Sequence, residues 1–149
     1  MKLQNMLSRL LTSVLFLVCL QLFAQKPPVY ATKDGAVAGY DPVAYFLLSQ
    51  PTKGSSELAY IWNDATWHFS SAEHLALFKS NPEKYAPKYG GYCSYAVANG
   101  YTAKIDPEAW KIVDEKLYLN YSKKIKVKWE EKQNKYIEKA EKNWPGVLD

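Results

Sequence analysis

The chain has 149 residues, of which 48% are hydrophobic, 15% aromatic and 23% charged, with a formal net charge of +4. That is one domain's length, enough to bury a core without staples, and the composition excludes a disordered or fibrous chain. Twelve Tyr and five Trp supply large apolar area with a polar tip, which suits a small core or a ligand cleft.

Residues 1–24 read as a cleavable signal peptide. Lys2 and Arg9 form a positive start, Leu10 to Leu20 is an apolar run (LLTSVLFLVCL), and Ala24 offers the small residue at the cut. The run is too short for a comfortable membrane span. The expectation is export, to the periplasm or beyond, with no stable membrane span after cleavage and no nucleic-acid partner. Cleavage removes Lys2, Arg9 and no acid, so the charge falls from +4 to +2. Arg9 is the only arginine, so the mature chain has no guanidinium for clamping phosphate. Cys19 leaves too, which makes Cys93 the only mature cysteine and excludes an internal disulfide.

Residues 25–35, with Pro27-Pro28 and Asp34-Gly35, read as an extended leader. Tyr40-Asp41-Pro42-Val43-Ala44-Tyr45-Phe46 is an aromatic-apolar cluster entered through a turn. Glu57 to Ser70 reads as a β-hairpin, with Leu58, Tyr60, Trp62, Trp67 and Phe69 alternating and Asn63-Asp64 at the reversal. Ser70-x-x-Glu73 is a capping-box pattern opening a helix whose buried stripe includes Leu75 and Phe78. Asn81-Pro82 stops that helix and starts a further turn. Tyr92 to Asn99 reads as a short helix closed by Gly100. Ala109–Val113 and Lys116–Tyr121 form a second hairpin around Asp114-Glu115. Ser122 caps a final helix running to about Trp144, with Ile125, Trp129, Tyr136, Ile137, Ala140 and Trp144 at helical spacing. The sequence shows no repeat and no linker long enough to divide the chain.

Cys93 has two readings: a helix-start thiol acidified by the helix dipole, or a small buried core residue. His68 and His74 likewise read either as ligands placed near Ser70 or as exposed hairpin and helix residues. No CxxC, HExxH, GxSxG, Walker A or GxGxxG motif occurs. Asp41, Asp64, Asp106 and Asp114 sit at turns, where aspartate has a structural job. The run Lys123, Lys124, Lys126, Lys128 and Lys132 is interleaved with Glu130 and Glu131 and reads as a solvated face.

Trp67-His68-Phe69-Ser70-Ser71-Ala72-Glu73-His74 through Phe78, then Asn81-Pro82-Glu83-Lys84-Tyr85, resembles the YHS domain. Together with Tyr40 to Phe46, Tyr89-Gly90-Gly91-Tyr92-Cys93, Asp106-Pro107 and Leu117 to Asn120, it resembles the exported, stand-alone branch of that family over nearly all of residues 36–146. The resemblance implies a small single α+β domain with two β-hairpins, short helices and a long C-terminal amphipathic helix. YHS modules attached to heavy-metal transporters bind metal through an F-C-S-x-x-C arrangement. The matching positions here are Phe69, Ser70, Ser71 and His74, so Ser70, a poor ligand, takes the first cysteine position and His74, a good one, the second.

The resulting expectation is a binding module rather than an enzyme, holding a soft or borderline metal such as copper or zinc through His74 and Cys93, with His68 as a third candidate. Two alternatives stand beside it. One is an aromatic cleft drawing on Tyr40, Tyr45, Tyr89, Tyr92 and Tyr95, for a small molecule or a protein segment. The other is a thiol-dependent redox protein using Cys93.

Overall fold

Each of the two aromatic-rich hairpins reverses at a residue pair that the local steric rules mark out. Strands β3 (Ser55–Trp62) and β4 (Ala65–Phe69) turn at Asn63 and Asp64, with φ of 51° and 59°. Strands β5 (Asp106–Val113) and β6 (Lys116–Asn120) turn at Asp114 and Glu115, with φ of 49° and 58°. Positive φ at both central residues is the type I′ pattern, whose twist matches that of the strands. The computed structural model that shows this describes residues 25–149; the expected signal peptide lies outside them.

The remaining elements are short. Strands β1 (Ala31–Thr32) and β2 (Gly35–Ala36) form a minimal hairpin. Helix α1 is Pro42–Leu47, α2 is Ala72–Ser80, α3 is Pro82–Tyr85 and α4 is Ser94–Ala98. Helices α5 (Lys123–Glu130) and α6 (Gln133–Asn143) complete a small single α+β domain with three two-stranded antiparallel ladders. Trp67, Phe69 and Phe78 are fully buried together, with ring centroids 5.1 Å apart in the Trp67–Phe78 and Phe69–Phe78 pairs. Burying a side chain of this size stabilises the fold by about 2 kcal/mol. A second cluster gathers Tyr89, Tyr118, Trp129 and Ala140.

The structure contains an internal repeat that the sequence reading did not find. Both ends of β5 and β6 and the start of α5 lie 51 residues after their counterparts in β3, β4 and α2: Ser55 and Asp106, Trp62 and Val113, Ala65 and Lys116, Phe69 and Asn120, Ala72 and Lys123. The registers repeat as well. Ser55 pairs Phe69 and Ala59 pairs His68, as Asp106 pairs Asn120 and Trp110 pairs Leu119, with the same irregularity between. Both following helices are capped by a serine hydroxyl, Ser71 accepting from the His74 N–H and Ser122 from that of Ile125. Upstream, the left-handed triplet Val37-Ala38-Gly39 (φ 51°, 57°, 76°) recurs as Tyr89-Gly90-Gly91 (56°, 59°, 80°). The triplets precede α1 and α4 in turn. Residues 37–80 and 89–130 are two copies of one hairpin–helix unit, each entered through a left-handed turn and a short helix.

Several expectations need correction. The single C-terminal helix is two helices, because Glu131 and Lys132 form a turn and Lys132 leaves helical geometry (φ −138°, ψ 42°). The break lets α5 pack on the β5–β6 hairpin while α6 runs against α4. The helix after the first hairpin is capped by Ser71, not Ser70. Helix α4 begins two residues later than expected. The leader is part of the fold: Val29 is buried, the Tyr30 N–H donates to Gly90 O, and the Lys26 N–H donates to Leu148 O. Val147 and Leu148, beyond the expected domain limit, are buried in the second cluster. Among the described residues no helix is long and apolar enough to cross a membrane.

Candidate functional site

Asp41 caps α1, and Pro42 at the first helical position fixes the entry. Its Oδ1 accepts from the N–H groups of Val43 (2.9 Å) and Ala44 (3.3 Å). Its Oδ2 accepts from the Ser70 N–H (2.8 Å), the Ser70 hydroxyl (2.6 Å) and His74 Nδ1 (2.6 Å). Five donors on one carboxylate satisfy a side chain that is 0% exposed. The carboxylate only accepts, so the His74 proton sits on Nδ1 and Nε2 is left as the free ring atom. Ser70 Oγ is 3.3 Å from His74 Nδ1, yet its own proton points to Asp41. A nucleophilic serine needs its proton directed at a basic imidazole nitrogen. This Ser-His-Asp set has the opposite polarity and works as a tie between α1, the end of β4 and α2.

The candidate metal donors do not gather around it. His68 pairs with Ala59 in the β3–β4 ladder. Its imidazole lies close against Gly35, where an added Cβ would come 3.3 Å from Cε1. Cys93 is 1% exposed. Its Sγ accepts from the Tyr121 N–H at 3.2 Å and its thiol faces Asn120 Oδ1 at 3.8 Å. None of these partners is shared with His74. Burial pushes the Cys93 thiol up, outweighing the backbone N–H groups that lower it, so the dipole-acidified thiol is not what the structure shows. Among the described residues no group of three or more His, Cys, Asp and Glu side chains is placed to hold a metal ion. The donor set therefore does not fit a copper or zinc centre of ordinary coordination.

The five candidate cleft tyrosines are also dispersed. Tyr40 carries the Lys53 ammonium 5.0 Å from its ring centroid. Tyr45 packs edge-on against Trp110 at 5.3 Å and donates to Pro107 O. Tyr92 packs against Tyr30 and donates to Pro27 O. Tyr95 lines a small cavity beside Cys93. Tyr45 lines a hollow of about 450 Å³ with Phe46 and Trp110, and Tyr89 alone of the five lines a cleft of about 370 Å³ that it shares with Trp62, Trp67 and Trp144.

That cleft is built by the first hairpin's tip, the start of α3, the second left-handed turn and the C-terminal end of α6. Trp62 and Trp67 flank the β3–β4 reversal, and Trp67 Nε1 donates to Trp62 O at 3.0 Å. Their ring centroids are 6.0 Å apart and tilted by 55°. Tyr89 and Trp144 form a second tilted pair at 6.1 Å and 57°. Gly90 is required between them, because its φ is +59° and an added Cβ would stand 1.9 Å from Pro28 O. Lys88 and Glu83 supply the charged groups of the wall. Lys88 Nζ is 2.8 Å from Glu141 Oε1, and the Tyr89 hydroxyl donates to the same carboxylate at 3.2 Å. Partial burial alone would raise the Glu141 carboxyl, but the bond and charge from Lys88 hold it below the usual range. Burial and then the Glu141 charge push the Tyr89 phenol up, so it stays a donor.

The sequence reading missed Trp62, Trp67 and Trp144 as site residues. Hairpin alternation accounts for Trp62 and Trp67, and helical spacing accounts for Trp144, so neither pattern marks them as site residues. The available signal was position: Trp62 is the last residue before a tight reversal, where a side chain reaches past the sheet. A larger hollow of about 550 Å³ at the α5–α6 break is walled entirely by charged and amide side chains such as Lys111 and Glu130. No protein-family model, curated protein or solved structure matches the chain.

Proposed function

We propose that this protein is an exported, YHS-like module that binds a small organic molecule in the Trp62–Trp67–Tyr89–Trp144 cleft. The observation that carries the reading is the cleft itself. Four large aromatic side chains, two from one hairpin and one each from the second left-handed turn and the end of α6, line about 370 Å³, with a few polar groups at its wall. That volume and lining are those of a small-ligand site. A strained turn supports one side, with Tyr89, a non-glycine residue, held at positive φ. Such strain persists where the surrounding structure over-determines it. The export signal and the YHS relationship rest on the sequence motifs given above.

The test is a fragment screen of the purified protein, read by the indole N–H resonances of its tryptophans. Saturable shifts at Trp62 and Trp144, lost in Trp62→Ala, support the reading. A diverse library that leaves these two signals unmoved sinks it. A parallel titration with Cu(I) and Zn(II) separates the metal alternative. Tight one-to-one binding abolished by His74→Ala would move the function to the Asp41–His74 pair.

A further inference from the structure

The tandem units put Cys93 near the place that Asp41 holds in the first unit, and Tyr121 and Ile125 at the places of Ser70 and His74. The correspondence extends to a hydrogen bond: the Ser70 N–H donates to Asp41 and the Tyr121 N–H donates to Cys93. In the first unit the locus is filled, since carboxylate, hydroxyl and imidazole bond to one another. An isoleucine and a thiol cannot make those bonds. At the second locus a cavity of about 220 Å³ opens instead, lined by Cys93, Tyr95, Tyr101, Tyr121 and Ile125. Cys93 closes the buried end, whereas Tyr101 and Tyr121 are 50% and 46% exposed.

Two lysines stand over the tyrosine rings that line this cavity. Lys104 Nζ stands 5.4 Å from the centroid of Tyr121, and Lys128 Nζ stands 5.2 Å from that of Tyr95. Both lysines are exposed, and neither forms an ion pair among the described residues. An apolar slot walled by tyrosines and flanked by two unpaired ammonium groups suits a ring that carries a negative charge. Its volume is below the range for drug-sized ligands, so the ligand is small. We propose that this pocket binds a small aromatic carboxylate, with its ring among Tyr95, Tyr101 and Tyr121 and its carboxylate toward Lys104 and Lys128. The site is separate from the tryptophan cleft and stands or falls independently of it.

The experiment titrates the purified protein with 4-fluorobenzoate and with the neutral 4-fluorobenzamide, following ¹⁹F signals and the protein's tyrosine ring resonances. The expected result is saturable binding of the acid that shifts Tyr101 and Tyr121, about tenfold tighter than the amide. Exchanging both exposed lysines together (Lys104→Gln with Lys128→Gln) should remove that preference, so that acid and amide bind the variant equally. Equal binding of acid and amide, an acid preference that survives the double variant, or no saturable binding each overturns the proposal. Trp62 and Trp144 signals stay still throughout if the two sites are distinct, and acid binding that moves only those signals also overturns it.

Discussion

Asp41 Oδ2 lies 2.6 Å from His74 Nδ1, across 33 residues of sequence, with both side chains almost wholly out of water. The same oxygen accepts from Ser70, and the other oxygen caps α1. One carboxylate therefore fastens three elements of the first unit. Removing an acceptor from such a network leaves several buried donors unmet, which costs far more than a single hydrogen bond contributes. Asp41→Asn should lower the unfolding free energy by about 3 kcal/mol. Urea denaturation followed by tryptophan fluorescence measures it. A loss below about 1 kcal/mol would mean the network is not the tie described, since that is the scale of one ordinary hydrogen bond.

Two glycines with positive φ give a matched pair. Gly90 has φ +59° and an added Cβ would meet Pro28 O at 1.9 Å; Gly100 has φ +86° and nothing within 4 Å. Gly100→Ala carries only the left-handed backbone cost, about 1 kcal/mol. Gly90→Ala carries that cost and also forces the leader away from the turn it bonds through Tyr30. It should be clearly the more destabilising in thermal melts, and it should weaken any ligand of the tryptophan cleft. Similar melting points for the two variants would count against the close approach of Pro28 to the cleft wall.

Alkaline pH should unfold the protein through its buried tyrosines. An unfolded tyrosine ionises near 10. Burial pushes Tyr118 up to about 12, and burial raises Tyr45 and Tyr89 as well. Below pH 10 both states hold these protons and the contribution is flat. Between 10 and 12 the folded chain holds more protons than the unfolded one, so stability falls as pH rises. Urea midpoints measured from pH 8 to 12 should drop above 10. Phenolate absorbance should show a group of tyrosines ionising only as the chain unfolds. Smooth titration of all twelve tyrosines without unfolding would contradict the burial.

The hairpins, the Asn81-Pro82 boundary and the Gly100 cap were legible because each depends on neighbours in sequence: alternation, turn residues and a proline. The repeat was not. Across its 51-residue offset Trp62-Asn63-Asp64 faces Val113-Asp114-Glu115, and Phe69-Ser70-Ser71 faces Asn120-Tyr121-Ser122. Backbone geometry and the serine cap persist while side-chain identity does not. The α5–α6 break was hidden for a different reason. Trp129 and Ala140 fall on one face of either a continuous or a broken helix, so periodicity cannot separate the two. The sequence marks Asp41 as a turn residue, and locally it caps α1. Its bonds to Ser70 and His74 are tertiary, and no spacing rule announces them. The aromatic cleft depends on which rings the tertiary packing brings together, Trp67 and Tyr89 being buried, and twelve tyrosines offer too many candidates.

The second hairpin carries a residue that its own turn disfavours. Glu115 holds φ +58° at the second central position of a type I′ turn, next to Asp114 at +49°. Its side chain makes no hydrogen bond or ion pair among the described residues, so the left-handed strain is uncompensated. Glycine adopts this conformation without the Cβ penalty, and Asp-Gly is a preferred pair for the turn. Glu115→Gly should therefore stabilise the protein by about 1 kcal/mol, against the usual destabilising effect of glycine in a structured segment. Asp64→Gly, at the equivalent position of the first unit, should act in the same direction because Asp64 holds φ +59°. Denaturation midpoints of the two variants check the turn geometry and the repeat together. Opposite signs at the two positions would show that the turns are not equivalent, whatever their shared register.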